Sequence, residues 1–243
     1  GHGRPGSGHQ DSAPGDGAAH AQEGVSGGVM ATGPISAPDA VSTAWQLFKN
    51  NPLPWVLITL ALGVASFLVS MISNSDSSGV ATLGTILTLI VSFVFQAFIV
   101  RGALLEVDGH KPEIGDFFKL HNFGWFVVAG IIVSIAVAIG TILLIIPGLV
   151  VGFFTYWTFN FVVDRNMTAT DAIRSSFNAI KTDGGNLFLL AVLNVLITIV
   201  GFFALVVGLL VALPIATLAS MVAYRAITGP SDFSRVATSG VWS

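Results

Sequence analysis

The side chains best suited to chemistry crowd into one stretch, EVDGHKPEIGDFFKLH, residues 106–121. Glu106, Asp108, His110, Glu113, Asp116 and His121 supply carboxylates and imidazoles, the groups that ligate divalent metals or exchange protons. Metal sites place their ligands at spacings that bring them to one turn or one helix face, and this stretch matches no such pattern. Its composition suits a polar connection between two apolar segments. His2, His9 and His20 are scattered through a Gly-, Ala- and Ser-rich stretch and form no ligand set. No nucleophile elbow, phosphate-binding glycine loop or zinc-protease helix occurs. With no cysteine in the chain, disulfides, thiolate metal sites and cysteine nucleophiles are excluded. The residues predict a protein that is not an enzyme, with no catalytic residue, no metal and no cofactor.

A second set of polar groups lies inside apolar sequence: Gln96, Asn160 and Asn194. An amide in hydrocarbon is costly unless it finds a partner, so these predict interhelical hydrogen bonds, with a substrate pathway as the alternative. The centres of the same apolar segments carry no charge. Ion-coupled transporters keep carboxylates or bases at depth, and this chain reads otherwise.

The elements that must carry these groups follow from composition. Of 243 residues, 53% are hydrophobic and 9% charged, against about 25% charged in a typical soluble domain. A mean hydropathy of +0.82 means that most of the surface faces something other than water. The net charge of −3 offers no footprint for nucleic acid. About 20 apolar residues cross a hydrocarbon core of about 30 Å. Pro54 to Ile72 and Val80 to Val100 each suit one crossing. Asn122 to Val163 is uncharged and suits two, with a turn expected at Ile146-Pro147-Gly148. Gly184 to Tyr224 also suits two, with a turn between Gly201 and Gly208. Lys49, Arg101, Lys111, Lys119, Arg165, Arg174, Lys181 and Arg225 all fall on one side of this arrangement, as do Arg4 and Arg235. Asp76 is the sole charge in the opposite turns. The positive-inside rule then puts both termini in the cytoplasm of a cell with a multi-pass inner (cell) membrane protein.

Two segments repeat. DAVSTAWQLFK, from Asp39, and DAIRSSFNAIK, from Asp171, align without a gap, and each sets large residues at i, i+4 and i+7. Val41, Trp45 and Phe48 form one stripe; Ile173, Phe177 and Ile180 form the other, with Ala44 and Ser176 filling in. Ser36 with Asp39, and Thr168 with Asp171, have capping-box spacing. A shorter third copy, PEIGDFFK, offers Ile114, Phe117 and Phe118. These nine large residues are expected to anchor helices in the cytoplasmic membrane interface. The fold class is thus an all-α integral membrane protein: six transmembrane helices as three repeats, each an amphipathic helix followed by a transmembrane hairpin. The repeats run about 37–105, 110–165 and 168–228. Residues 1–36 read as a disordered tail, 37–229 as the membrane domain and 230–243 as a cytoplasmic C-terminal tail. Gly148 and Gly152 form a GxxxG, a spacing that permits close helix contact.

IIPGLVVGFFTYWTFNFVVDRNMTATDAIRSSFNAIK, an apolar pair, and ALPIATLASMVAYRAITG together resemble a bacterial multi-pass family. It includes YciC-like inner-membrane proteins and the membrane anchor fused to some glycerophosphodiester phosphodiesterases. Actinobacterial proline- and glycine-rich transmembrane proteins are similar. The matching elements are Ile146-Pro147-Gly148, the Asp171-Ala172 helix start, Ser175 and Tyr224-Arg225. The resemblance covers residues 37 to 229 and implies six spans without assigning an activity. The function expected is non-enzymatic: scaffolding, lipid-interacting or envelope-accessory, with the lipid bilayer as partner and a membrane-protein partner or homo-oligomer compatible with it. A transporter or permease-like subunit is the alternative.

Overall fold

The structure, a computed structural model, describes residues 35–74, 77–120, 122–143 and 145–231. Residues 1–34 and 232–243 of the two tails, Asp76 and His121 lie outside the described residues, so the expectations attached to them have no structural counterpart. Every regular element among the described residues is helical. In chain order they are α1 (Ala37–Asn50), α2 (Pro52–Ser73), α3 (Ser78–Val107), α4 (Ile114–Phe117), α5 (Phe123–Leu143), α6 (Ile145–Phe154), α7 (Thr158–Arg165), α8 (Ala169–Thr182), α9 (Gly184–Phe203) and α10 (Leu205–Thr228). Among the described residues, six helices are long and apolar enough to cross a membrane, α6 and α7 counting together as one, Ile145–Arg165.

Local chemistry accounts for the boundaries. Ser36 caps α1 by accepting from Asp39 N at 3.3 Å, and Thr168 caps α8 by accepting from Asp171 N at 3.4 Å. Each of these helices then meets the next through a single residue in nearly the same conformation: Asn51 at φ −148°, ψ 58°, and Asp183 at φ −143°, ψ 50°. The turn expected at Pro147-Gly148 lies elsewhere. α5 ends at Leu143 and α6 begins at Ile145, so Pro147 sits in the first turn of α6, where its missing N–H would have had no helical partner. The other turn falls at Ala204, inside the expected window. Glycine permits the tight legs of these hairpins. A Cβ on Gly140 would meet Gly148 Cα at 2.9 Å, and one on Gly208 would meet Gly201 O at 2.2 Å. The GxxxG glycine Gly148 therefore serves contact within its own hairpin.

Three antiparallel hairpins result: α2–α3, α5 with α6–α7, and α9–α10. α10 is the most enclosed, with 56% of its apolar window buried against 17–39% in the others. Each short helix packs on a hairpin other than the one it leads into. α4 rests on α3 and α2, α8 on α7 and α5, and α1 on α10 and α9. The last contact joins the N-terminal helix to the C-terminal hairpin. Asn186 at the start of α9 holds it, donating to Ile35 O and accepting from Ala37 N at 2.9 Å.

The helices α1 and α8 bury the same register. Ala37, Ala40, Ala44 and Phe48 point inward on one; Ala169, Ala172, Ser176 and Ile180 do so on the other. The inward face is thus mostly small residues, which let each helix lie close against its neighbour. The aromatic stripe sits to one side of it. Val41 and Ile173 are half-buried, whereas Trp45 and Phe177 are exposed.

Candidate functional site

The ends of α3, α7 and α10 meet around one guanidinium. Asp164 and Arg225 occupy the last turns of α7 and α10, and Asp108 follows the end of α3. Arg225 grips Asp164 with both forks: Nη1 donates to Oδ2 at 2.9 Å and Nη2 to Oδ1 at 2.9 Å. Nη2 also donates to Asp108 Oδ2 at 2.7 Å, and Nη1 to Gly229 O at 3.1 Å. Tyr224 OH donates to Asp164 Oδ2 at 2.9 Å. The side chains of Arg225, Asp164 and Asp108 are 3%, 0% and 7% exposed. Such burial is tolerable only because each charge is paired and hydrogen-bonded. Arg165, whose Nε lies 3.7 Å from Asp164 Oδ2, donates through Nη2 to Thr228 O and Gly229 O. Arg101 is buried and adds a third cation acting on Asp108, Asp116 and Asp164.

Burial pushes the Asp108 carboxyl above its ordinary range, and the Arg225 charge and hydrogen bond draw it back. Asp116 moves the other way. It accepts from Lys119 Nζ at 2.8 Å and from Glu113 N at 2.9 Å, and the lysine bond leads in holding it below the usual carboxylate range. The other members of the 106–121 stretch separate. Glu106 Oε2 accepts from Trp55 Nε1 and Asn51 Nδ2, both at 3.1 Å, which ties α3 to the start of α2. His110 Nδ1 is buried and makes no hydrogen bond among the described residues. The stretch is thus spread over several structural contacts. Arg225, with its forks filled by two carboxylates and a carbonyl, works as a clip.

The three amides do not converge either. Gln96 is exposed on α3, Asn160 is buried in α7, and Asn194 faces a groove. That groove, about 760 Å³, runs between α9 and α10 and is bounded on its third side by Phe153, Tyr156 and Trp157. Trp157 shuts it toward the charged cluster, donating from Nε1 to Ser220 Oγ at 3.1 Å and meeting the Tyr224 ring edge-on at 5.6 Å. The tryptophan is set by a break in helical bonding at Thr155–Trp157. Ser176 of α8 mends the break, donating to Phe154 O at 2.9 Å and accepting from Trp157 N at 3.1 Å.

The nine residues expected at a membrane interface divide. Trp45, Ile114, Phe118 and Phe177 are exposed; Phe48, Phe117 and Ile180 belong to the core and have no surface to offer a bilayer. Phe117 lies against Gly102, where an added Cβ would stand 2.1 Å from its ring, and meets Trp55 edge-on at 5.3 Å. In the sequence Asp164 stands out as no site, and Arg225 bears only on topology and resemblance. The available signal was a carboxylate and an arginine within one turn of two apolar ends.

No family model matches the chain, and no solved structure matches it. It is similar to an uncharacterised protein of Mycobacterium tuberculosis, Rv2560, with 27% identity over 225 residues, covering 80% of this chain and 69% of the relative. An uncharacterised protein of Mycobacterium bovis, Mb2590, matches to the same extent. These relatives agree with an actinobacterial protein; the YciC-like resemblance finds no support in them.

Proposed function

We propose that this chain is a non-catalytic, multi-pass protein of a bacterial cell membrane, a lipid-interacting scaffold or envelope accessory. Three repeats of short helix plus hairpin insert with the short helices and both termini on the cytoplasmic side. The supporting observation is the matched outer edge of α1 and α8. On each, an exposed aromatic carries a lysine one turn later: Lys49 Nζ lies 5.7 Å from the Trp45 ring centre, and Lys181 Nζ 4.4 Å from that of Phe177. A ring flanked by an ammonium group suits the boundary between acyl chains and anionic headgroups. The permease-like alternative has weaker support, because the groove takes in Asn194 but neither Asn160 nor Gln96.

The absence of native cysteine makes a direct test available. Single variants Trp45→Cys, Phe177→Cys and Ser77→Cys carry one thiol each. On intact cells an impermeant thiol reagent should label Ser77→Cys alone. Spin labels at positions 45 and 177 in vesicles should report headgroup depth. Labels that are fully water-exposed, or outside labelling at 177, would defeat the reading.

A further inference from the structure

Because α1 and α8 bury the same register, their outer edges compare residue by residue. Lys181 on α8 matches Lys49 on α1, and Phe177 matches Trp45. Arg174 is matched by Ser42, so α8 carries a second cation where α1 carries a hydroxyl. Arg174 and Lys181 are both exposed. Neither side chain makes a hydrogen bond or an ion pair among the described residues. Asp171, one turn before Arg174, is engaged at the helix start, where Thr168 Oγ1 donates to its Oδ2 at 2.7 Å. The α8 edge thus presents two uncompensated positive charges.

Their spacing selects a kind of anion. Arg174, Phe177 and Lys181 stand at i, i+3 and i+7, one stripe of the helix, with the two cations rooted about 10 Å apart along its axis. Lys181 leans back so that its Nζ lies 4.4 Å from the Phe177 ring centre, which brings its charge nearer to Arg174 than its backbone is. A phosphate oxygen accepts from such a cation at about 2.7–2.9 Å. One phosphate seated on either cation leaves the other bare, whereas two phosphates on a short bridge meet both. Apolar surface continues from the same edge. Phe177 meets the Phe154 ring at 4.7 Å, Phe154 meets Phe153 at 5.6 Å, and Phe153 meets Phe188 of α9 at 6.0 Å. Phe188 and Val192 are exposed on a helix able to cross a membrane. On the reading that places α8 at the cytoplasmic membrane surface, on which this inference rests, headgroups meet the cations and acyl chains run along these side chains.

We propose that the outer edge of α8 binds an anionic lipid carrying two phosphates on one short bridge, one phosphate on Arg174 and the other on Lys181. The full chain is reconstituted in phosphatidylcholine vesicles containing a cardiolipin with a photoreactive group near the top of one chain. Crosslinks are mapped by mass spectrometry. The competitors are plain cardiolipin and phosphatidylglycerol, matched for total phosphate so that the membrane charge is equal. Crosslinks should concentrate around Phe154 and Phe188, and cardiolipin should displace the probe about fivefold better than phosphatidylglycerol. Arg174→Gln and Lys181→Gln should each bring the two competitors to parity, whereas Lys49→Gln on α1 should leave the preference in place. Equal competition on the native chain, or a preference that survives both α8 substitutions, overturns the two-phosphate site. An equal loss in Lys49→Gln would assign the effect to overall charge and overturns it as well. Crosslinks as dense at the exposed Leu57 and Leu60 of α2 as at Phe188 overturn the site while leaving the membrane reading intact. Absence of crosslinks anywhere would overturn both.

Discussion

Two seams border α10 and differ in how they are filled. Toward the first hairpin, α10 packs along α3 and α2 through buried residues. Toward the second hairpin, the helices touch at one end, through Arg225–Asp164, Tyr224–Phe161 and Trp157–Ser220, and beyond that end lies the groove. Within one turn of α10, Ala219 is fully enclosed and Ala216 lines the opening. The difference shows that directional polar contacts hold the second seam where packing does not. A closed seam spreads its stability over many small dispersion contacts. The open seam concentrates it at one end, where Arg225 also reaches Asp108 after α3.

That contrast can be broken most severely at the cluster. Arg225→Met should cost about 3–5 kcal/mol, because it removes the bidentate partner of buried Asp164, leaving only the 3.7 Å approach of Arg165, and the partner of buried Asp108. Thermal unfolding in detergent measures it, and the double variant Arg225→Met/Asp164→Leu should recover part of the loss, with Asp108 still lacking its partner. A single-variant loss under about 1 kcal/mol would mean that packing, not the clip, holds the seam.

The two alanines sharpen the comparison next. Ala219→Leu should destabilise by about 1–3 kcal/mol through overpacking, while Ala216→Leu should change stability by less than about 0.5 kcal/mol. Equal effects in the same melting assay would show that the two seams are equally filled. A smaller response is expected at Ser176→Ala, which leaves the Trp157 N–H and the Phe154 carbonyl without their partner, at about 1–2 kcal/mol. It should also loosen Trp157, visible as a red shift in its fluorescence. Ala44 occupies the matching place on α1, so Ala44→Ser is the control and should show no such shift.

Much of the architecture was legible because it depends on local order. Apolar length marks six helices, and Ser36 and Thr168 mark where two short ones begin. What stayed hidden depends on partners distant along the chain. The stripe Val41, Trp45 and Phe48 was plain to see, but the inward face is set by how close α10 comes, and closeness favours Ala40 and Ala44. Asp164 and Arg225 are separated by sixty-one residues, so no window of sequence joins them. The displaced turn near Pro147 has a different cause: proline fits the first turn of a helix as well as a loop.

The docking of α1 on the last hairpin sets an order of assembly. α4 and α8 each settle on a hairpin already synthesised before them. α1 has no such surface until α9 and α10 emerge, since its partner Asn186 follows Ala37 by 149 residues. Its alanine face must therefore wait for the third hairpin, and contacts this distant along the chain form more slowly than local ones. A chain stopped before α10 would leave α1 without its seat.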